Sequence, residues 1–171
     1  MRVKLKDIGS DGLRLQWPLN SSSLRTWVGE TGPPPQEAAG DVSIALTRNG
    51  ARVFAHGVVR ARMLLPCGRC LEPADVCVDS PLQVTFVPAP LAPQPKESEL
   101  HGDDPDYCTY RGVEIDLGDL VREQVLLGIP FAPVCREECR GLCPRCGADR
   151  NRNSCACPAD PVAVGSGRLR L

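Results

Sequence analysis

Six of the ten cysteines in this chain, Cys135, Cys139, Cys143, Cys146, Cys155 and Cys157, fall in one short stretch. Two more, Cys67 and Cys70, form a pair far upstream. Thiols this dense are bridged, metallated or redox-active, since free ones would oxidise. Zinc takes four soft or borderline ligands in a tetrahedron, and a C-x2-C or C-x3-C turn supplies two of them from one loop. Here Cys67/Cys70 is C-x2-C, Cys135/Cys139 is C-x3-C, Cys143/Cys146 is C-x2-C followed by Gly147, and Cys155/Cys157 is C-x-C. Eight thiolates make two closed four-sulfur sites, so the expectation is two zinc ions in structural rather than catalytic positions.

Which pairs share an ion is a separate question. Cys143, Cys146, Cys155 and Cys157 can close a local site over a short loop, which costs little entropy. Cys67/Cys70 would then meet Cys135/Cys139 across the fold, and this arrangement is preferred. The alternative joins Cys67/Cys70 to Cys143/Cys146 and leaves Cys155/Cys157 for Cys135/Cys139. Four thiolates around Zn(II) carry a net charge of −2, and Arg69, Arg136, Arg140, Arg145, Arg150 and Arg152 are interleaved with the ligands. They either neutralise the thiolates or reach phosphates of an RNA.

Other chemistry fits less well. The run C-x3-C-x3-C-x2-C departs from the C-x2-C-x2-C-x3-C-P pattern of iron–sulfur proteins. A thiol oxidoreductase places C-x-x-C at a helix N-terminus, whereas Cys67 and Cys70 lie between strand-like segments. A zinc hydrolase needs a three-ligand site and a nearby acid or base, for which Glu137 and Glu138 are the nearest groups. Cys77 and Cys108 read as structural thiols, His56 and His101 lack partner spacing, and Asp103, Asp104 and Asp106 read as solvated charge. No small-molecule substrate is indicated.

The composition sets the frame. With 171 residues and 42% hydrophobic side chains, a sizeable core is available. The N-terminal residues alternate apolar and polar without an h-region, and no apolar run approaches membrane-spanning length. The expected location is the cytoplasm, without membrane attachment, and a reducing compartment favours metal over disulfides. Net charge is uneven: +5 over residues 1–70, −9 over 71–123 and +3 over 124–171. A uniformly basic nucleic-acid binder is excluded, and any RNA surface belongs to the first or last block.

Local pattern gives the elements that must hold the cysteines. Residues 1–17 read as strand broken by a turn at 9–12, and Asn20 to Gly40, with its Ser and Pro runs, reads as a loop. Val42, Ile44 and Leu46 alternate up to Asn49-Gly50, a two-residue type I′ turn that pairs Leu46 with Val53, Ile44 with Ala55 and Val42 with Gly57. The second arm runs into Pro66 and the Cys67–Cys70 knuckle, after which Ala74 to Val87 alternates again, with Val76 and Val78 on one face and Cys77 on the other. Residues 88–106 read as an acidic, Pro-rich linker. Residues 107–134 contain the best helix, N-capped by Asp116, with Leu117, Leu120, Val121, Val125 and one of Leu126 or Leu127 on its apolar stripe and Gly128 and Pro130 at its end. The cysteine cluster, 135–157, follows, then a flexible tail, 158–171. The fold class expected is α+β: a β-rich part, 1–87, forming an antiparallel sheet, one main packed helix, and a C-terminal cysteine-rich zinc-binding segment.

Taken together, C-x2-C-L at Cys67–Leu71, the helix pattern of Ile115, Asp116, Leu117, Val121, Glu123, Leu126, Leu127 and Pro130, and the run of Cys135, Cys139, Gly141, Leu142, Cys143, Pro144, Cys146, Gly147, Asn151, Cys155 and Cys157 resemble the YceD family. Its members are bacterial and plastid proteins associated with accumulation of large-subunit ribosomal RNA. Some lack the final cluster but keep the first C-x-x-C and a Cys or His pair after the helix, which implies pairing of Cys67/Cys70 with Cys135/Cys139. The family offers no catalytic residue to transfer. The resemblance implies a non-enzymatic zinc protein of large ribosomal subunit biogenesis that binds ribosomal RNA or an assembly protein; the alternative is a zinc hydrolase or thiol redox enzyme.

Overall fold

The computed structural model describes residues 1–89 and 107–157. The linker reading, apart from Pro88 and Ala89, and the tail reading lie outside the described residues. Five strands form the main sheet in the order β2 (Leu13–Leu19), β3 (Ala38–Asn49), β4 (Arg52–Pro66), β5 (Pro73–Pro88) and β6 (Tyr107–Tyr110). All neighbours are antiparallel except β5 and β6. A second, two-stranded sheet pairs β1 (Arg2–Lys4) with β7 (Glu114–Asp116). Helix α1 (Ser21–Gly29) and helix α2 (Gly118–Gly128) lie against the inner face of the main sheet. This is the α+β class.

Period-two alternation sends one side of each strand into the core. Val42, Ile44, Leu46, Val53, Val59 and Met63 are buried in one core with Leu24 of α1, Val121 and Val125 of α2, and Leu117 just ahead of α2. Val76 and Val78 face this core and Cys77 faces solvent. In α2, Leu126 packs on the core whereas Leu127 is 73% exposed, which resolves the choice between them. The helix begins one residue later than expected: Leu117 holds the N-cap position, and Asp116 instead accepts a hydrogen bond from the Gly118 N–H at 2.8 Å.

Three readings are corrected. Part of the 20–40 segment is helix rather than loop. Asn20 Oδ1 accepts the Ser23 N–H at 2.7 Å as an N-cap, and Leu24 and Val28, four residues apart, reach the core. The serine run that suggested a loop is the first turn of α1, where capping side chains are favoured. The hairpin register is shifted by two: Leu46 pairs with Ala55, Ile44 with Gly57 and Val42 with Val59. The turn residues are therefore Gly50 and Ala51, with φ positive at Gly50 (+60°) and not at Ala51, as in a type II′ turn. A two-residue shift leaves every side chain on its original face, so alternation has no power to detect it. Finally, β1 stands apart from the main sheet, and residues 107–116 supply β6 and β7 ahead of the helix. Both are too short for their alternation to register in sequence.

Candidate metal centres

Strands β4 and β5 are 15 and 16 residues long, so their hairpin carries the knuckle at its tip well past the core. Cys67 donates its N–H to the Glu72 carbonyl and accepts the Leu71 N–H at its own carbonyl, at 2.8 and 2.9 Å. The same two bonds recur downstream, where Cys143 donates to Ala148 and accepts from Gly147, both at 2.8 Å. The two C-x2-C turns are thus one structure built twice. The fifth residue of each has positive φ, +71° at Gly147 and +65° at Leu71. Leu71 is the only non-glycine residue in that region among the described residues, and it keeps a 65% exposed apolar side chain there.

The segment from Pro133 to Cys157 is stitched to the first knuckle by its backbone. Gly68 donates to Pro133 O at 2.8 Å, and Leu142 donates to Arg69 O at 2.9 Å. Gly141, at φ +69°, has no room for a side chain, because a Cβ would stand 2.8 Å from Arg69 O. The Arg69 guanidinium donates to the carbonyls of Glu137 and Cys139 at 3.0 and 3.1 Å. Arg152 bridges to Glu72 at 2.8 Å and to Asp149 at 3.5 Å. Two of the interleaved arginines therefore bind protein oxygens.

These contacts gather the eight sulfurs into two groups, Cys67, Cys70, Cys135 and Cys139, and Cys143, Cys146, Cys155 and Cys157, each with all ligand atoms within 4.8 Å of one another. In the first group the Cys67–Cys139 and Cys70–Cys135 separations are 3.9 and 3.6 Å. Sulfurs ~2.3 Å from a tetrahedral zinc stand about 3.8 Å apart, so the donor set and spacing fit that ion. The first group is the long-range combination, spanning strand hairpin and post-helix segment, and the second is local. Cys77 and Cys108 belong to neither.

The sulfurs within each group differ in acidity. Burial pushes the Cys67 thiol up, but N–H groups led by that of Arg69, 3.4 Å from Sγ, outweigh it and bring it down to about 6. At Cys70 the Glu72 N–H pulls the thiol down, yet burial and the neighbouring sulfurs push it up to about 12. In the second group the N–H groups of Cys146 and Arg145 lower Cys143 to about 6, while the Cys146 sulfur and burial raise Cys157 to about 12. Each group thus sets thiols pulled down, Cys67 and Cys139 in the first and Cys143 in the second, beside thiols pushed up, Cys70 and Cys135 in the first and Cys155 and Cys157 in the second, because adjacent like charges repel until a cation sits between them.

One residue of the site had no role in the sequence reading. Asn151, from the loop of the second group, donates its amide to Cys139 Sγ of the first at 3.5 Å. It accepts the Arg140 N–H at 2.8 Å, and Asp149 Oδ1 fixes its amide at 2.7 Å. Burial raises Cys139, and the Gly141 N–H and this amide bring it below the usual thiol range. The available signal was its place in the motif between Cys146 and Cys155.

The family model described as "Large ribosomal RNA subunit accumulation protein YceD" matches residues 55–165, which include all eight grouped cysteines. The chain belongs to the YceD family. It is 29% identical over 139 residues to the maize (Zea mays) "Large ribosomal RNA subunit accumulation protein YCED homolog 1, chloroplastic", covering 68% of this chain and 47% of the relative. The Arabidopsis thaliana protein of the same description is 25% identical over 150 residues, 75% of this chain and 46% of the relative. An uncharacterized protein of Mycobacterium tuberculosis is 33% identical over 112 residues, 66% of this chain and 52% of the relative. The chain thus spans about half the length of the curated relatives it matches. No solved structure gives a significant match. No helix among the described residues is long and apolar enough to cross a membrane.

Proposed function

We propose that this YceD-family protein is a non-enzymatic zinc protein that acts in large ribosomal subunit biogenesis, supporting accumulation of large-subunit ribosomal RNA in the cytoplasm through contact with that RNA or an assembly protein. The observation that carries the reading is the pair of four-sulfur groups within the stretch matched by the family model. Each group supplies a full set of four thiolates, which leaves no ligand position for a substrate, so each ion holds backbone together. Cys67, Cys70, Cys135 and Cys139 would hold one zinc and Cys143, Cys146, Cys155 and Cys157 the other. The first pins the β4–β5 tip to the segment after α2, and the second shapes the loop that carries Asn151.

Two measurements test this. Metal analysis should find about two zinc per chain, with an all-sulfur absorption spectrum after cobalt exchange; an open site with water or oxygen ligands would contradict the structural role. Depletion in cells should lower large-subunit ribosomal RNA relative to small-subunit RNA. Unchanged RNA levels and subunit profiles would remove the biogenesis role.

A further inference from the structure

The helices cover one face of the main sheet, and no described element covers the other. Paired residues share a face, so the register gives the layout of the open side. Phe54 pairs with Thr85, and Thr85 pairs with Tyr107. The two rings therefore stand on one row, two strand spacings or about 9–10 Å apart. Both are exposed, Phe54 at 41% and Tyr107 at 51%, whereas Thr85 between them is only 8% exposed. His56 follows Phe54 on the same side of β4, one pleat along, and is exposed.

Charge divides this face in two. Among the described strand residues, the half around the rings carries the exposed cations Arg14 and Arg52 and no carboxylate. The half toward the knuckle carries Asp41, Asp75 and Asp79, and its cations are engaged: Arg60 with Asp79 at 3.5 Å and Arg62 with Asp75. A mixed sheet face with exposed rings in one row, flanked by guanidinium groups that have no carboxylate partner among the described residues, suits a flexible polyanion with planar groups to stack. Single-stranded nucleic acid has that chemistry: bases stack on the rings and phosphates meet the cations. A duplex hides its bases and has no use for the rings.

We infer that the open face around Phe54, His56 and Tyr107 binds single-stranded RNA, with Arg14 and Arg52 contacting its phosphates. The inference rests on the proposed function only for the choice of RNA as the polymer. It assigns RNA contact to the sheet rather than to the zinc segment, where Arg69 and Arg152 are occupied with protein oxygens.

The test uses the full chain and a fluorescent single-stranded oligoribonucleotide of mixed sequence, followed by anisotropy across a salt series, with the matching RNA duplex as comparison. The wild type should bind the single strand preferentially, more weakly as salt rises. The Phe54→Ala/Tyr107→Ala variant should lose about ten-fold or more in affinity, Phe54→Tyr should retain it, and Arg14→Gln/Arg52→Gln should lower the salt slope by about two. Zinc content and melting temperature, unchanged in these surface variants, establish that they are folded. Absence of wild-type binding, equal binding of the duplex, or wild-type affinity in the double-alanine variant would overturn the inference and leave the face to a protein partner. Complementation separates the two proposals. If depletion lowers large-subunit RNA and the double-alanine variant fully restores it, only the RNA face fails; if depletion changes nothing, the biogenesis role fails whatever the oligonucleotide shows.

Discussion

Replacing Cys67 by Ser removes a fully buried sulfur from the long-range group while leaving the local group chemically complete. A hydroxyl is a poor zinc ligand, so the first ion should be lost. The cost follows from what that ion joins. Cys70 and Cys135 are 65 residues apart, and a link closing a loop of that length constrains the chain by about 4 kcal/mol, against about 2.6 kcal/mol for the short Cys146–Cys155 loop. Total stability of a small domain is about 5–15 kcal/mol, so Cys67→Ser should remove a large part of it and Cys143→Ser distinctly less. Metal analysis of Cys67→Ser should give one zinc per chain. Alkylation read by mass spectrometry should find Cys70, Cys135 and Cys139 newly reactive and Cys143, Cys146, Cys155 and Cys157 still protected. Retention of two zinc ions, or reactivity appearing in the second group while the first stays protected, would refute the assignment of sulfurs to sites. A smaller stability loss for Cys67→Ser than for Cys143→Ser would refute the loop argument alone.

Asn151→Ala removes the amide from Cys139 Sγ and should weaken zinc at the first group by about ten-fold or more, as loss of an outer-shell partner does; competition with a chelator reads this, and an unchanged affinity would deny the link between the two loops. Leu71→Gly relieves a left-handed leucine at +65°, which costs roughly 1–2 kcal/mol, but it adds about 1 kcal/mol of unfolded-chain freedom. Chemical denaturation should show a net gain of up to about 1 kcal/mol, and a clear loss would mean that the exposed side chain has a contact. Zinc affinity should rise with pH, because Cys70 and Cys157, each pushed up to about 12, shed protons on becoming ligands, so the bound form holds fewer protons. Calorimetry in buffers of different ionisation enthalpy should report that release, and a pH-independent affinity would contradict it.

The cysteine spacing, the β4–β5 arms and the apolar stripe of α2 are legible in the chain because each is a short-range pattern: a turn of fixed length, a period of two, a period near 3.6. The same locality explains the failures. Alternation is blind to the two-residue register shift at Gly50, and a serine-rich first turn is indistinguishable in composition from a loop until Leu24 and Val28 are seen to have a core to enter. Tyr107–Tyr110 gives no strand signal in four residues and becomes β6 only because the edge of β5 offers it backbone partners. The eight cysteines that gather into the two four-sulfur groups could be read from sequence, since thiol clustering is a matter of residue type and spacing. Tertiary structure decided that the Cys67 knuckle, carried past the core on the β4–β5 hairpin, meets the segment after α2, and that Asn151 of one loop reaches a sulfur of the other. It also set Phe54 and Tyr107, 53 residues apart in the chain, on one row of an open sheet face. Such juxtapositions depend on how strands and helices pack over the whole core, and no local pattern encodes them.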